Sequence, residues 1–142
     1  MKGWVTIYTP GGATILKNQI LYSGHQVFYA ILSGLDTRNK IYLLRLGTSN
    51  QPTDPNQTDL INPLPYDFLV SGRAFDATGV RYNFLLANLP AGLRFSEAAI
   101  YGSYYDITTS NLVTVTVARI TFATVMIASG FTYQLDWKFN LV

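Results

Sequence analysis

The alternation of apolar and polar residues is clearest near the end of the chain, where it continues without a break from residue 132 to residue 141. A period of two residues places alternate side chains on opposite faces of a strand. The pattern therefore predicts a long strand with one buried face and one face in contact with water. The predicted buried set is Tyr133, Leu135, Trp137, Phe139 and Leu141, and the predicted wet set is Thr132, Gln134, Asp136, Lys138 and Asn140.

Shorter patterns predict further strands. Residues 112–122 are rich in valine, isoleucine and threonine, which lose rotamer freedom in a helix and pack well on a pleated surface. Alternation over residues 80–86, directly after the turn-forming segment 76–79, predicts a hairpin whose first strand lies near residues 71–75. Three more short strands are expected, at residues 4–8, 40–46 and 97–101.

One segment departs from the β pattern and predicts a helix over residues 24–33. Ser23 and Gln26 have the spacing of a capping box, in which two side chains bond the open N–H groups at a helix start. Gly34 stands where a helix C-cap is expected. The apolar residues of this segment fall on one helical face, which comprises Val27, Phe28, Ile31, Leu32 and Leu35.

Residues 47–59 contain two prolines and no hydrophobic residue suited to a core, so we expect a long surface loop. Asp54, Asn56 and Asp59 have part of the spacing of a calcium-binding loop, but Pro65 stands in the place of the bidentate glutamate. We therefore expect these side chains to form turns and to bind no metal.

These elements predict one mainly β domain. The expected architecture is an antiparallel β-sandwich or a partly open barrel with one short helix near residues 24–33. Within the domain, we expect residues 1–17 to form an extended N-terminal arm and residues 18–142 to form the β-rich module.

Composition excludes most enzyme chemistries. The chain of 142 residues has no cysteine and one histidine, which removes thiolate metal sites and, in a monomer, any site with two histidine ligands. Charged residues amount to 13% with a net charge of +2, well below the roughly 25% of a typical domain. A charge this small gives no strong attraction to nucleic acid or an anionic membrane. We expect a protein that is not an enzyme, has no cofactor and binds neither nucleic acid nor membrane.

Two single ionisable residues have structural explanations. His25 lies in the first turn of the predicted helix, without a neighbouring nucleophile or acid in the sequence, and we expect a structural or solvated role. Glu97 is the chain's one glutamate and opens an apolar strand. We expect it to form an ion pair with Arg94 or Arg119.

Aromatic residues make up 14% of the chain, and several lie in predicted loops or near the N-terminus, where burial is less assured. Exposed apolar patches mark interfaces, and tyrosine and tryptophan are preferred anchors there. We expect contacts with other chains, with stacking on sugars or on single-stranded nucleic acid as alternatives; the lack of a basic groove disfavours nucleic acid. The aromatic residues expected at an interface are Trp4, Tyr8, Tyr66, Phe68, Tyr104 and Tyr105.

Several short motifs follow one another along residues 18–142: NQILYSG at 18–24, LSG at 32–34, IYLLRLGT at 41–48, TDL at 58–60, VRYNF at 80–84, FSEAAIY at 95–101, ARITFA at 118–123 and the strand at 133–141. Their order resembles a β-rich module of tailed-bacteriophage virion proteins, found in fibre-type and capsid-surface components. That module carries a Leu-Gly-Thr-Gly step and a Glu-Ile-Gly-Leu-Phe-like strand. Here Ser49 replaces the second glycine, and Ala98 and Ala99 replace the Ile-Gly pair.

The resemblance implies a structural virion protein that works as a symmetric oligomer, with a trimer expected. Because no shaft or receptor-binding tip follows the module in this sequence, we expect a capsid decoration protein. It would clamp neighbouring subunits of the major capsid protein through apolar contacts and strand addition by residues 4–8. A tail fibre or baseplate component is the alternative within this class, and a carbohydrate-binding β-sandwich is the alternative of another class. The expected location is the virion, after assembly in the host cytoplasm.

Overall fold

Nine strands and one helix follow one another along residues 1–140, the part of the chain that the computed structural model describes. In chain order they are β1 Lys2–Thr9, β2 Gly12–Ile20, α1 Tyr22–Ser33, β3 Lys40–Gly47, β4 Pro63–Leu69, β5 Gly72–Phe75, β6 Gly79–Leu86, β7 Arg94–Asp106, β8 Asn111–Met126 and β9 Tyr133–Asn140. The strands form one antiparallel sheet in the order β4-β3-β7-β8-β2-β1-β9-β6-β5, which curls into a half-barrel. The prediction of a mainly β, antiparallel fold with one short helix is confirmed.

One continuous stretch of chain borders both ends of this sheet. β4 and β5 are the terminal strands of the order and are joined by two residues. The Val70 N–H donates to the carbonyl of Tyr42 in β3 (3.1 Å), whereas the Ser71 N–H donates to the carbonyl of Asn83 in β6 (2.8 Å). The chain therefore changes its bonding partner from one end of the sheet to the other within two residues, which keeps the two ends of the half-barrel together.

The interior of the half-barrel is filled by the inward faces of the strands. The buried face predicted for the last strand is confirmed for Tyr133, Leu135, Trp137 and Phe139, which all belong to the main core. Leu141, the fifth residue of the predicted set, lies outside the described residues. Phe28 of α1 reaches into the same core and meets Phe139 edge to face, with ring centroids 4.8 Å apart.

The opposite face of the last strand is not uniformly wet. Asp136 is buried, contrary to the prediction. Its carboxylate accepts hydrogen bonds from the side-chain amides of Asn83 and Gln134, both at 2.7 Å. These two donors replace water around the carboxylate, which is why a charged residue is tolerated at a buried position.

The helix begins two residues earlier than predicted and without the predicted capping box. Leu21 is the N-cap residue, and no side chain caps the helix start. The Ser23 hydroxyl instead donates to the carbonyl of Thr116 in β8 (2.7 Å). The helix start is therefore fixed by contacts with β8, which lie far away in the sequence and are invisible to a local capping pattern.

The predicted end of the helix is confirmed. Gly34 has a left-handed backbone with a φ of 65°, and its N–H donates to the carbonyl of Ile31 (3.1 Å). The predicted buried face is only partly correct: Val27 and Phe28 are buried, whereas Leu32 is exposed. The helix consequently keeps an apolar strip on the outside.

A glycine allows α1 to lie close to the sheet. A side chain at Gly24 would overlap the backbone of Val117 in β8. The backbones can therefore approach until the Leu21 N–H donates to the carbonyl of Val117 (2.9 Å). This contact places α1 across β7 and β8, with one long side of the helix facing the β1–β2 hairpin.

The N-terminal segment is an integral part of the sheet, so the prediction of an arm over residues 1–17 is wrong. β1 lies between β2 and β9 and pairs with both along its length. Val5 and Ile7 point inward and are buried. Since both edges of β1 are already bonded, residues 4–8 cannot add as a strand to another protein.

Deletion of residues 1–8 tests this placement. We expect the shortened chain to lose its cooperative thermal transition, followed by circular dichroism, because β2 and β9 would lose their common neighbour. The matched control is the double variant Trp4→Ser/Tyr8→Ser on the outer face of β1, whose free energy of unfolding should change by no more than about 1 kcal/mol. A deletion variant that melts cooperatively near the Tm of the full chain would contradict the placement.

Candidate functional site

The most buried charges among residues 1–140 form an ion pair between two neighbouring strands. Glu97 of β7 and Arg119 of β8 have fully buried side chains, and the Arg119 Nη2 lies 2.6 Å from the Glu97 Oε2. The Arg119 Nε donates to the same oxygen at 3.1 Å. The expected pairing of Glu97 is thereby confirmed for Arg119, whereas Arg94 is exposed.

The carboxylate of this pair also holds the end of the long loop. Glu97 accepts hydrogen bonds from the backbone N–H groups of Ile61 (3.3 Å) and Asn62 (2.8 Å). Gly47 leaves the space for this carboxylate, since a side chain there would overlap it. The Glu97 carboxylate is thus hydrogen-bonded to groups inside the protein.

The guanidinium holds the beginning of the same loop. The Arg119 Nη1 donates to the carbonyl of Gln51 (3.0 Å), the Thr53 hydroxyl (3.1 Å) and the side-chain carbonyl of Gln57 (3.2 Å). The predicted surface loop therefore lies as an ordered cover over β7 and β8. Because the loop covers the pair, we assign Glu97 and Arg119 a structural role.

The predicted turn is confirmed at Asp54, whereas Asp59 makes a hydrogen bond to a residue distant in the sequence. The Asp54 carboxylate accepts from the Asn56 N–H (2.8 Å), and Asp59 accepts from the Tyr101 hydroxyl (2.5 Å). Burial and this bond to Asp59 raise the pKa of Tyr101 well above its ordinary value. Within residues 1–140, no three histidine, cysteine or acidic side chains are grouped so that they could hold a metal ion.

His25 lies exposed on the outer side of α1. Its ring meets the rings of Tyr22 and Tyr29 edge to face, with centroids 6.2 and 6.3 Å away. The predicted solvated position is confirmed. These three rings form an aromatic row along the helix.

The six aromatic residues predicted at an interface do not form one surface. Trp4 and Tyr8 lie partly exposed on the outer face of β1. Phe68 of β4 is buried in the core, so its prediction as an exposed residue is wrong, and Tyr66 points inward beside it. The alternation of β4 explains this, because its even-numbered side chains face the core while Pro63 and Pro65 face outward.

Tyr104 and Tyr105 line a groove of about 410 Å³ between α1 and the turn after β7. The groove also contains Leu35 and Ile107, which are 81% and 78% exposed and so offer apolar surface to a partner. We call this the apolar groove. Its acidic side chains are Asp36 and Asp106.

An ion pair shapes one wall of the apolar groove. Arg38 donates two hydrogen bonds to the Asp36 carboxylate, at 2.9 and 2.7 Å, and its guanidinium lies 4.0 Å from the centre of the Tyr105 ring. The bonds from Arg38 lower the pKa of Asp36 to about 2. Asp36 therefore stays ionised at any ordinary pH and remains able to pair with Arg38.

Sequence reasoning missed the most exposed large hydrophobic residue of the described chain. Phe75, at the end of β5, is 90% exposed. It precedes a tight turn in which Asp76 accepts bonds from the backbone and hydroxyl of Thr78 and from Lys138. These bonds hold the pKa of Asp76 well below its ordinary value. The sequence signal for this exposure was the position of Phe75 at the end of a short edge strand beside a turn, where no neighbouring element covers an aromatic side chain.

One basic residue accompanies Phe75 on the same face of the β5–β6 hairpin. Arg73 lies two residues before Phe75 on β5 and is exposed, whereas Arg81, the partner of Ala74 across the ladder, lies on the opposite face. We call Phe75 and Arg73 the basic knob.

Comparison with known protein families, with curated proteins and with solved structures finds no match to this chain. Among the described residues, no helix has the length and apolar character needed to span a bilayer. The interpretation of the apolar groove and the basic knob therefore depends on their own chemistry.

The buried ion pair can be tested by paired substitutions. We expect Glu97→Met and Arg119→Met each to lower the free energy of unfolding in urea by about 3–5 kcal/mol, because each leaves a buried partner unsatisfied. The double variant Glu97→Met/Arg119→Met should cost clearly less than the sum. The control is the exposed pair of Arg45 and Asp67, for which Arg45→Met should cost at most about 1 kcal/mol. Equal costs at the buried and exposed pairs would contradict a role for the buried pair in holding the loop.

Proposed function

We propose that this protein is a non-enzymatic structural component of a bacteriophage particle, a capsid decoration protein that assembles as a trimer on the major capsid protein. The observation that carries the proposal is the coexistence of the basic knob and the apolar groove on one chain. The proposed location of the protein is the virion, after assembly in the host cytoplasm. The resemblance of the sequence motifs to a phage virion module supports the choice of particle.

The apolar side chains provide the binding energy for self-association. Phe75, Leu35 and Ile107 are each nearly fully exposed in the single chain. Burying one such side chain stabilises a contact by about 1.5–3 kcal/mol. A phenylalanine side chain is small enough to enter a groove of about 410 Å³, and the occupant that we assign to the groove is the knob of a second copy.

The charges around the two features are also complementary. The knob has Arg73, and the groove has the carboxylates of Asp36 and Asp106. Asp36 is already paired with Arg38, which leaves Asp106 as the expected partner of Arg73. Opposite charges at the rim of an interface fix its orientation and exclude wrong partners.

A contact between two different surface patches favours a ring. The knob and the groove are distinct patches, so the contact is heterologous and repeats from copy to copy until the rotation closes. Three copies related in this way give the trimer that the resemblance implies. Each chain then uses both its knob and its groove, and neither remains in contact with water.

The outer face of the β1–β2 hairpin lies apart from the knob and the groove and is available for the capsid shell. Trp4, Tyr8 and Ile15 are exposed there on adjacent strands. Three such faces on one trimer would bind the shell together, and linked weak contacts strengthen one another through their effective concentration. This placement gives Trp4 and Tyr8 a role in binding the shell through their side chains.

The mass of the purified chain, measured by light scattering, tests the trimer. We expect three times 15.8 kDa for the natural sequence and the mass of one chain for Phe75→Glu and for Ile107→Glu, because each places a carboxylate in an apolar contact. Met126→Glu is the matched control, since Met126 is exposed but lies outside both patches, and it should remain trimeric. Arg73→Glu should weaken the trimer, and Asp106→Arg should restore it in the double variant.

Two outcomes would contradict this arrangement. One is a natural sequence that stays monomeric over the whole concentration range. The other is a trimer whose mass is unchanged by both Phe75→Glu and Ile107→Glu while the variants remain folded. Sedimentation with capsids assembled from the major capsid protein separates the second contact: Trp4→Ser/Tyr8→Ser should stay trimeric and fail to sediment.

A further inference from the structure

A second concave site lies on the other side of α1 and has a different chemistry. This cleft of about 660 Å³ runs between α1 and the start of the β1–β2 hairpin, and its volume falls within the range of about 300–1,000 Å³ typical of small-molecule sites. From its lining we infer that the cleft binds an acidic saccharide, with Asn18 bonding ring hydroxyls, Tyr22 and Tyr29 packing against the sugar, and Lys17 attracting its carboxylate.

Asn18 is the residue that points to a ligand. Its side chain is only 7% exposed, yet neither its amide nitrogen nor its amide oxygen has a hydrogen-bond partner among residues 1–140. Leaving a buried polar group unpaired costs about 1–3 kcal/mol, so such a group needs an explanation. The space for this amide exists because Gly3, its neighbour across the ladder, has no side chain to overlap it.

A pair of neighbouring hydroxyl groups matches what Asn18 offers. The Asn18 amide nitrogen and oxygen are both buried, so the side chain must first turn towards the cleft, and this turn breaks no hydrogen bond within the described protein. An amide presents a donor and an acceptor together. After the turn, one sugar hydroxyl accepts from the Asn18 Nδ2–H and the adjacent hydroxyl donates to its Oδ1.

The aromatic row of α1 supplies the apolar part of the site. Tyr22 and Tyr29 line the cleft and are exposed, with the His25 ring between them. The contacts of His25 with both rings hold them in a row, and each tyrosine presents an apolar body with a polar tip. A row of this kind suits a ligand of alternating C–H faces and hydroxyl groups.

The charged residues of the cleft select an acidic ligand. Lys2 and Lys17 line it, and no acidic residue of the described chain does. A carboxylate on the sugar is attracted to this rim, whereas a cationic ligand is repelled.

A peptide is the ligand class from which the test must separate the saccharide. An extended peptide gains its affinity by pairing with an open sheet edge, and β2 pairs with β8 only at Gln19 and Ile20. The side chains of the cleft are the ground on which we choose the saccharide. The cleft and the apolar groove share only Tyr29, so the other residues of the two sites can be varied separately.

Calorimetric titration of the full chain with digalacturonate tests the inference. We expect saturable binding that weakens as salt is raised, and at least tenfold weaker binding of the neutral dimethyl ester. Asn18→Leu should weaken digalacturonate binding at least tenfold while the fold is kept, because exchanging an unpaired buried amide for an apolar group of similar size is not destabilising. Tyr22→Ser and Lys17→Gln should each weaken it as well, and Lys17→Gln should reduce the preference over the ester.

The matched control is Tyr104→Ser/Tyr105→Ser in the apolar groove, which should bind digalacturonate as the natural sequence does. Absence of saturable binding at millimolar ligand overturns the inference, as does binding that is unchanged in Asn18→Leu and Tyr22→Ser. Equal binding of the ester overturns the acidic class, and tighter binding of a tetraglutamate peptide assigns the cleft to a peptide instead. Light scattering of the same samples separates these results from the trimer, whose mass is expected to stay unchanged by the sugar and by Asn18→Leu.

Discussion

The buried ion pair of Glu97 and Arg119 is the interaction on which the rest of the structure depends. Removing two charges from water costs several kcal/mol for each ion and is offset only when every remaining hydrogen bond is made. Here the long loop makes them: its backbone N–H groups at residues 61 and 62 bond the carboxylate, and its residues 51, 53 and 57 bond the guanidinium. The loop, β7 and β8 thus stabilise one another as a single unit.

In this arrangement several acidic side chains form their hydrogen bonds within the protein. The acidic residues of the loop bond its own backbone or Tyr101, and Asp136 bonds two amides within the sheet. The exposed surface in turn has several large apolar side chains, among them Phe75, Leu35 and Ile107. The polar side chains bond one another inside the protein, whereas large apolar side chains lie exposed on its surface. This distribution favours contacts with other chains, and for this reason we propose an assembly role.

Local patterns in the sequence predicted most strands, because the period of two is imposed by the backbone itself. Two of the errors arise from contacts between residues that are distant in the sequence. β1 pairs with β9, more than a hundred residues away, and β8 bonds Ser23 in place of the predicted capping box. The error at Phe68 has a local cause, which is the alternation of β4. The sequence predicted a pairing of Glu97 with Arg94 or Arg119, and the structure shows Arg119. The exposure of Phe75 and the unpaired amide of Asn18 depend on the tertiary fold and have no local pattern that predicts them.

The central claim is that copies of this chain bind one another on the outside of a phage head. A cryo-electron microscopy map of the phage particle tests this claim most directly. The account predicts density for trimers on the outside of the head, with the hairpin of Phe75 in the groove beside Ile107 of the next copy and the β1–β2 face on the shell. A particle that lacks the protein, or carries it only on the tail or baseplate, would contradict the account.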